Sequence, residues 1–249
     1  MTRPMGDHLD LVEMAAADLR ADSRVFTSGN LFHAARRAAL RLGKPFEGDF
    51  KSFRSGPLAA RVRRSALDGL LPDGPELNRS ARLPREWDAY FPACILVVDR
   101  AELVPLFAAS GVVVQARMAV ITLDDRPAHI VDWLRRGIRA GHRAPVGYLH
   151  EAATVVYPFA SELLGTWARL RRPREELVFR DLGLPPLGLS GDRFGLSGAP
   201  VLELEEPPPH ALIAYAARAT LSLLAPDPML FPLTSRRPRD RNRPLGGCP

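Results

Sequence analysis

Cysteine is scarce: Cys94 and Cys248 are the only two in 249 residues, so no disulfide framework is expected to staple this chain. Neither thiol has metal-ligand spacing, and Cys94, inside an apolar run, reads as a small core residue. Lysine is almost missing, with Lys44 and Lys51 alone among many arginines. Long apolar runs are missing too. The central one, residues 93–98, is far shorter than the roughly 20 residues a bilayer span requires. No membrane partner is expected. The first residues carry Asp7, Asp10 and Glu13 in an amphipathic pattern rather than a basic start and an apolar stretch, which leads to the expectation of a cytoplasmic protein. There is no G-x-x-x-x-G-K-[ST], no strand followed by G-x-G-x-x-G and no G-x-S-x-G. Phosphate-loop ATPases, dinucleotide-binding enzymes and serine hydrolases of the nucleophile-elbow type therefore lack their signatures.

What is present fits a globular chain. Hydrophobic residues make up 46% and charged residues 25%, enough apolar material for a sizeable core and too little net charge for wholesale disorder. The formal net charge of +6 permits an anionic partner such as DNA, because the planar guanidinium matches phosphate. A GC-rich coding sequence would raise arginine everywhere without any such role.

Apolar residues at helical spacing predict an amphipathic helix over residues 7–20. Thr27-Ser28-Gly29-Asn30 offers several N-caps for a second helix over 31–42, and a third is expected over 58–70, bearing Arg61, Arg63 and Arg64. Residues 74–87 read as a linker. We expect a helical unit over 1–84, an α/β domain over 85–234 and a basic, disordered tail over 235–249.

The α/β domain carries the clearest pattern. Apolar β-rich runs at 93–99, 118–123 and 145–149 alternate with helical stretches at 101–110 and 128–140, each closed by glycine, and 175–182 supplies a candidate fourth strand. Alternation of this kind predicts a parallel sheet. Residues 112–116 read equally as an extra strand or a turn. The run at 210–224, apolar around most of its circumference, is expected to pack in the core.

Ligands of open parallel sheets gather beyond the carboxyl ends of the strands. Asp99, the pair Asp124 and Asp125, His150 with Glu151, and Asp181 all close strands in this reading. Carboxylates there suit Mg²⁺, and equally suit capping of the helices that follow. His150 is a candidate general acid or base.

The segment Val25-Phe26-Thr27-Ser28-Gly29-Asn30-Leu31-Phe32-His33-Ala34-Ala35-Arg36-Arg37, followed by an acid-tipped α/β unit, resembles the topoisomerase VI A-subunit and meiotic recombination endonuclease group. The resemblance implies a winged-helix-like unit ahead of a Toprim-like domain, with Mg²⁺ held by Asp99, Glu151 and Asp181. It also implies DNA contact through Arg36, Arg37, Arg61, Arg63 and Arg64. Two positions depart from the family pattern. Phe32-His33 stands where the DNA-attacking tyrosine is expected, and Glu151-Ala152-Ala153 replaces the D-x-D pair. The resemblance thus implies a Toprim-like protein without catalysis that binds DNA or assembles with a protein complex, needing no cofactor. The alternatives are an Mg²⁺-dependent nuclease or phosphoryl-transfer enzyme, and an interaction subunit that never meets nucleic acid.

Overall fold

The computed structural model describes residues 5–44, 46, 48–71, 91–122, 127–152, 157–170, 175–196 and 200–223. The expected linker over 74–87 with its boundary near Pro84, the acidic pair Asp124 and Asp125, the basic tail and Cys248 lie outside these residues.

The N-terminal region is helical. Helix α1 (Met5–Asp22) packs along α2 (Ser28–Arg41). Helix α2 begins three residues before the expected start, because Thr27 and Asn30 form a reciprocal capping box: the Thr27 side chain accepts from the Asn30 amide, and the Asn30 side chain accepts from the Thr27 amide. The third helix is displaced from its expected span of 58–70. It starts at α3 (Phe50–Phe53), where Asp49 caps the Ser52 amide at 2.7 Å, passes through a π-turn (Arg54–Leu58), and ends as α4 (Ala59–Arg64). Pro57, which reads as a breaker, is absorbed by the wider turn. Val12, Ala16, Leu31, Phe32, Phe53 and Leu58 close a separate core for this unit.

The α/β region is built on a four-stranded, all-parallel sheet in the order β2-β1-β3-β4, with β1 Cys94–Val98, β2 Met118–Thr122, β3 Val146–Leu149 and β4 Phe179–Asp181. All five β1 residues are buried because both sheet faces are covered. Side chains alternate by face: Cys94, Leu96 and Val98 join one core, and Ile95 and Val97 the other. The strand order explains which helix covers which face. The connection from β1 to β2 runs one way along the sheet, and those from β2 to β3 and from β3 to β4 run the other. Right-handed crossovers therefore place α5 (Leu103–Ala109) on the first face and α7 (Pro127–Arg139) and α8 (Tyr157–Leu170) on the second. The core memberships agree: Leu103, Leu106 and Phe107 of α5 pack with Leu96, while Ile130, Trp133, Leu163 and Trp167 pack with Ile95.

Residues 112–115 form a short helix, α6 (Val112–Gln115), neither strand nor plain turn. Gly111 and Gly141, at φ 76° and 87°, adopt the left-handed backbone that stops the preceding helices. Helix α8 has no counterpart in the sequence reading, although the β3–β4 crossover requires an element there. The last helix, α9 (Pro209–Leu221), fills the first face beside α5. It buries Leu212, Ala216 and Thr220 and leaves Leu221 exposed, so it is one-sided rather than apolar all round. Among the described residues, no helix is long and apolar enough to cross a membrane.

Candidate functional site at the sheet rim

The strand order reverses direction between β1 and β3, and the crevice beyond their carboxyl ends is where doubly wound sheets bind ligands. Asp99 and Arg100 leave β1 at this point, and His150 and Glu151 leave β3 beside them. Pairing of the two strands continues one step past β1, with the Asp99 amide donating to the Leu149 carbonyl at 3.2 Å. Asp181 ends β4, next along the rim. Folding thus brings the three carboxylates Asp99, Glu151 and Asp181 to the same edge of the sheet.

Each is engaged by a different protein group. Asp99 accepts the Tyr148 hydroxyl on one oxygen and the Glu151 amide, at 3.0 Å, on the other. Burial and the Asp99 carboxylate hold the Tyr148 phenol far above its ordinary pKa, so it stays a donor. Glu151 receives both edges of the Arg100 guanidinium, Nε at 2.9 Å and a terminal nitrogen at 3.2 Å, a bidentate pair. That bond raises the Arg100 pKa further.

Asp181 pairs with His150, whose Nε2 lies 2.8 Å from Oδ1, and it also accepts the Gly183 amide at 2.9 Å. The other ring nitrogen of His150, Nδ1, lies 2.7 Å from the Glu151 carbonyl. A carboxylate and a carbonyl can only accept, so this placement favours the imidazolium form, in which both ring nitrogens donate. Burial opposes that charge, yet the bonds to Asp181 and to the Glu151 carbonyl outweigh it and lift the pKa above the usual histidine value. In return, the bond from His150 lowers the pKa of Asp181. The ring stacks at a tilt on Tyr148, 5.1 Å between centroids, and a Cβ at position 183 would overlap it. An imidazolium with both protons spoken for cannot serve as a general base.

The described residues of this rim do not fit Mg²⁺. The ion demands near-octahedral oxygen ligation and gives up its waters reluctantly, and here Glu151 and Asp181 are neutralised within the chain by Arg100 and His150. Among the described residues, no three His, Cys, Asp or Glu side chains are placed to share an ion.

The five arginines separate into two groups. Arg37 donates to the Glu206 carbonyl at 2.7 Å, and Arg61 is paired with Glu13 and donates to Ser65. Arg36 is exposed with its guanidinium 5.6 Å from the Phe32 ring centre. Arg63 and Arg64 are exposed and have no ion-pair partner among the described residues. Cys94 is fully buried, and burial pushes its thiol up to about 11, in keeping with a core role.

Sequence reasoning missed a second polar cluster. Residues 203–207 cross the start of α2. The buried carboxylate of Glu205 accepts the Thr27 hydroxyl, and the Asn30 amide group donates to the Glu205 carbonyl at 2.9 Å. Glu203 pairs with His33 at 3.3 Å, and that bond lowers its pKa. The signal available was Thr27-Ser28-Gly29-Asn30 itself, read as capping alone. Its partner lies far along the chain, and Arg100 and Tyr148 were likewise invisible as partners because nothing in the sequence gives the strand order. No protein-family model, no curated protein and no solved structure matches this chain.

Proposed function

We propose that this chain is a non-catalytic, Toprim-like scaffold that binds double-stranded DNA through the exposed arginines of its winged-helix-like unit. The observation that carries the non-catalytic part is the internal neutralisation of the rim: Asp99 is held by Tyr148 and the Glu151 amide, Glu151 by Arg100, and Asp181 by His150. A rim built this way joins β1, β3 and β4 at their ends instead of presenting free carboxylates to a metal-bound phosphate. The α2 helix adds Phe32 and His33 where an attacking hydroxyl would be needed, and both are buried. Binding is then the remaining task of the helical unit, supported by the net charge of +6 and by the exposure of Arg36, Arg63 and Arg64.

Fluorescence anisotropy with a labelled mixed-sequence duplex at several salt concentrations tests this reading. Three phosphate contacts give a slope of log K against log salt of roughly −3, and Arg63→Ala with Arg64→Ala removes about two units of it. Binding that ignores salt, or none at low salt, rejects the DNA reading. Recovery of a stoichiometric protein partner free of nucleic acid would point instead to an assembly subunit.

A further inference from the structure

The helical unit and the α/β region each close an apolar core of their own, with Val25 and Leu71 of the helical unit packed against the second, while the contact at α2 itself is polar. It is made by one short acidic strap, Glu203-Leu204-Glu205-Glu206, held from both sides. On the sheet side, Leu204 is fully buried in the main core and the Leu202 carbonyl receives the Ala152 amide at 2.9 Å, so the strap is fixed to the rim. On the helical side, its hydrogen-bonding and ion-pair partners on α2 and at its N-cap act as donors. Thr27 bonds the Glu205 carboxylate, and Asn30 bonds the Glu205 carbonyl and, at 3.4 Å, that of Pro207. His33 pairs with Glu203, and Arg37 bonds the Glu206 carbonyl. Burial and Arg41 lower the pKa of Arg37, with Glu206 acting against them, and after the His33 bond Arg36 contributes to lowering that of Glu203. Hydroxyl and amide donors at the positive end of a 14-residue helix, followed along it by the His33 imidazole and the Arg37 guanidinium, are suited to phosphate oxygens. Here they are met by carboxylate and carbonyl oxygens of the same chain.

We infer that the strap is an autoinhibitory contact: residues 203–206 occupy the α2 donor face in place of the DNA backbone, and DNA binds fully only when the helical unit swings off the strap. The inference rests on the DNA-binding reading above. Opening is feasible because α1, α2 and α3 keep their shared core when the seam parts. Besides the strap, the seam holds Val25 and Leu71, both only partly buried, against the main core, and a mostly polar seam of this kind opens more readily than an apolar one. A chain with the seam closed engages DNA through Arg36, Arg63 and Arg64. With the seam open it adds Arg37, His33 and the α2 N-terminus.

The test compares three full-length proteins by anisotropy on the same mixed-sequence duplex. These are the wild type, a strap variant (Glu203→Gln with Glu206→Gln) and a charge control carrying the same change away from α2 (Glu162→Gln with Glu176→Gln). The strap variant should bind at least about fivefold tighter than the control, the lower end of an ordinary coupling between two equilibria, and with a steeper salt slope. In wild type, hydrogen exchange should show residues 201–207 losing protection when DNA is added, a readout independent of whether the variant folds. Equal affinities of strap variant and control, or a strap that keeps its protection on DNA, overturn the inference and leave DNA binding standing. Failure of all three proteins to bind at low salt removes both together.

Discussion

The Glu205 carboxylate lies directly against the backbone of Gly29, in the space a side chain at position 29 would need. A methyl group there would overlap the carboxylate and must displace a group that is itself only 8% exposed. Gly29→Ala is therefore expected to lower stability by about 1–3 kcal/mol, the usual cost of overpacking, even though alanine favours helix. Shortening the facing side chain with Glu205→Ala should recover part of that loss in the double variant. Thermal melts of the single and double variants check this, and additive losses would contradict the contact.

Glu205 also makes stability depend on pH in a defined direction. Burial raises its carboxyl pKa, and the Thr27 bond only partly offsets this. The folded state thus holds the proton more tightly than the unfolded chain, whose carboxyl titrates near 4.3. Stability from this group is present below that value and falls as pH rises through the raised folded value. The isosteric Glu205→Gln is expected to be as stable as wild type in acid and more stable at neutral pH. Urea melts across pH read the difference, and a variant that is less stable than wild type at neutral pH would contradict it.

His150 has the opposite chemistry and the same sign. Its pKa is raised in the folded state by its acceptors, Asp181 and the Glu151 carbonyl, against the cost of burial. Its contribution is complete below the unfolded value of about 6.5 and is lost as pH climbs through the raised one. Asp181, lowered by the same bond, contributes above its unfolded pKa and loses that contribution as acid protonates it. The pair should therefore be strongest in the window between the two. Nitrogen-detected NMR of the ring should find both nitrogens protonated at neutral pH. Asp181→Asn should return the titration toward the ordinary value, and a neutral ring at pH 6 would refute the imidazolium.

Much of the fold could be read in the chain, because its signals are local. Strands at 94–98, 118–122 and 146–149 and the glycine stops at 111 and 141 follow from short apolar runs and from backbone that only glycine enters easily. The third helix, expected over 58–70, starts instead at Phe50 under the Asp49 cap and continues through Pro57 in a wider turn. Helix α8 went unread: its mixed face of Phe159, Leu163 and Trp167 with exposed Glu162 and Arg169 is spread over a segment bounded by proline. At the site, the acidic residues were identifiable by type and by their place at strand ends. Their partners were not, since Tyr148 and Asp99, Arg100 and Glu151, and His150 and Asp181 meet only once the sheet order is set.

Asp99 separates a structural rim from a catalytic one in stability alone. Its carboxylate satisfies the Tyr148 hydroxyl and the Glu151 amide, so Asp99→Ala strands two donors and should cost about 1–3 kcal/mol for each that finds no water. Tyr148→Phe removes one of those donors together with its need and should cost less. Equal or reversed losses in chemical denaturation would contradict the assignment.

The most direct test of the whole account is incubation of supercoiled plasmid with the purified protein and Mg²⁺, in the presence and absence of EDTA. The account predicts retarded plasmid that remains fully supercoiled, with retardation abolished by salt and unaffected by chelation. Nicking or relaxation that requires Mg²⁺ and disappears in Asp99→Ala would contradict it.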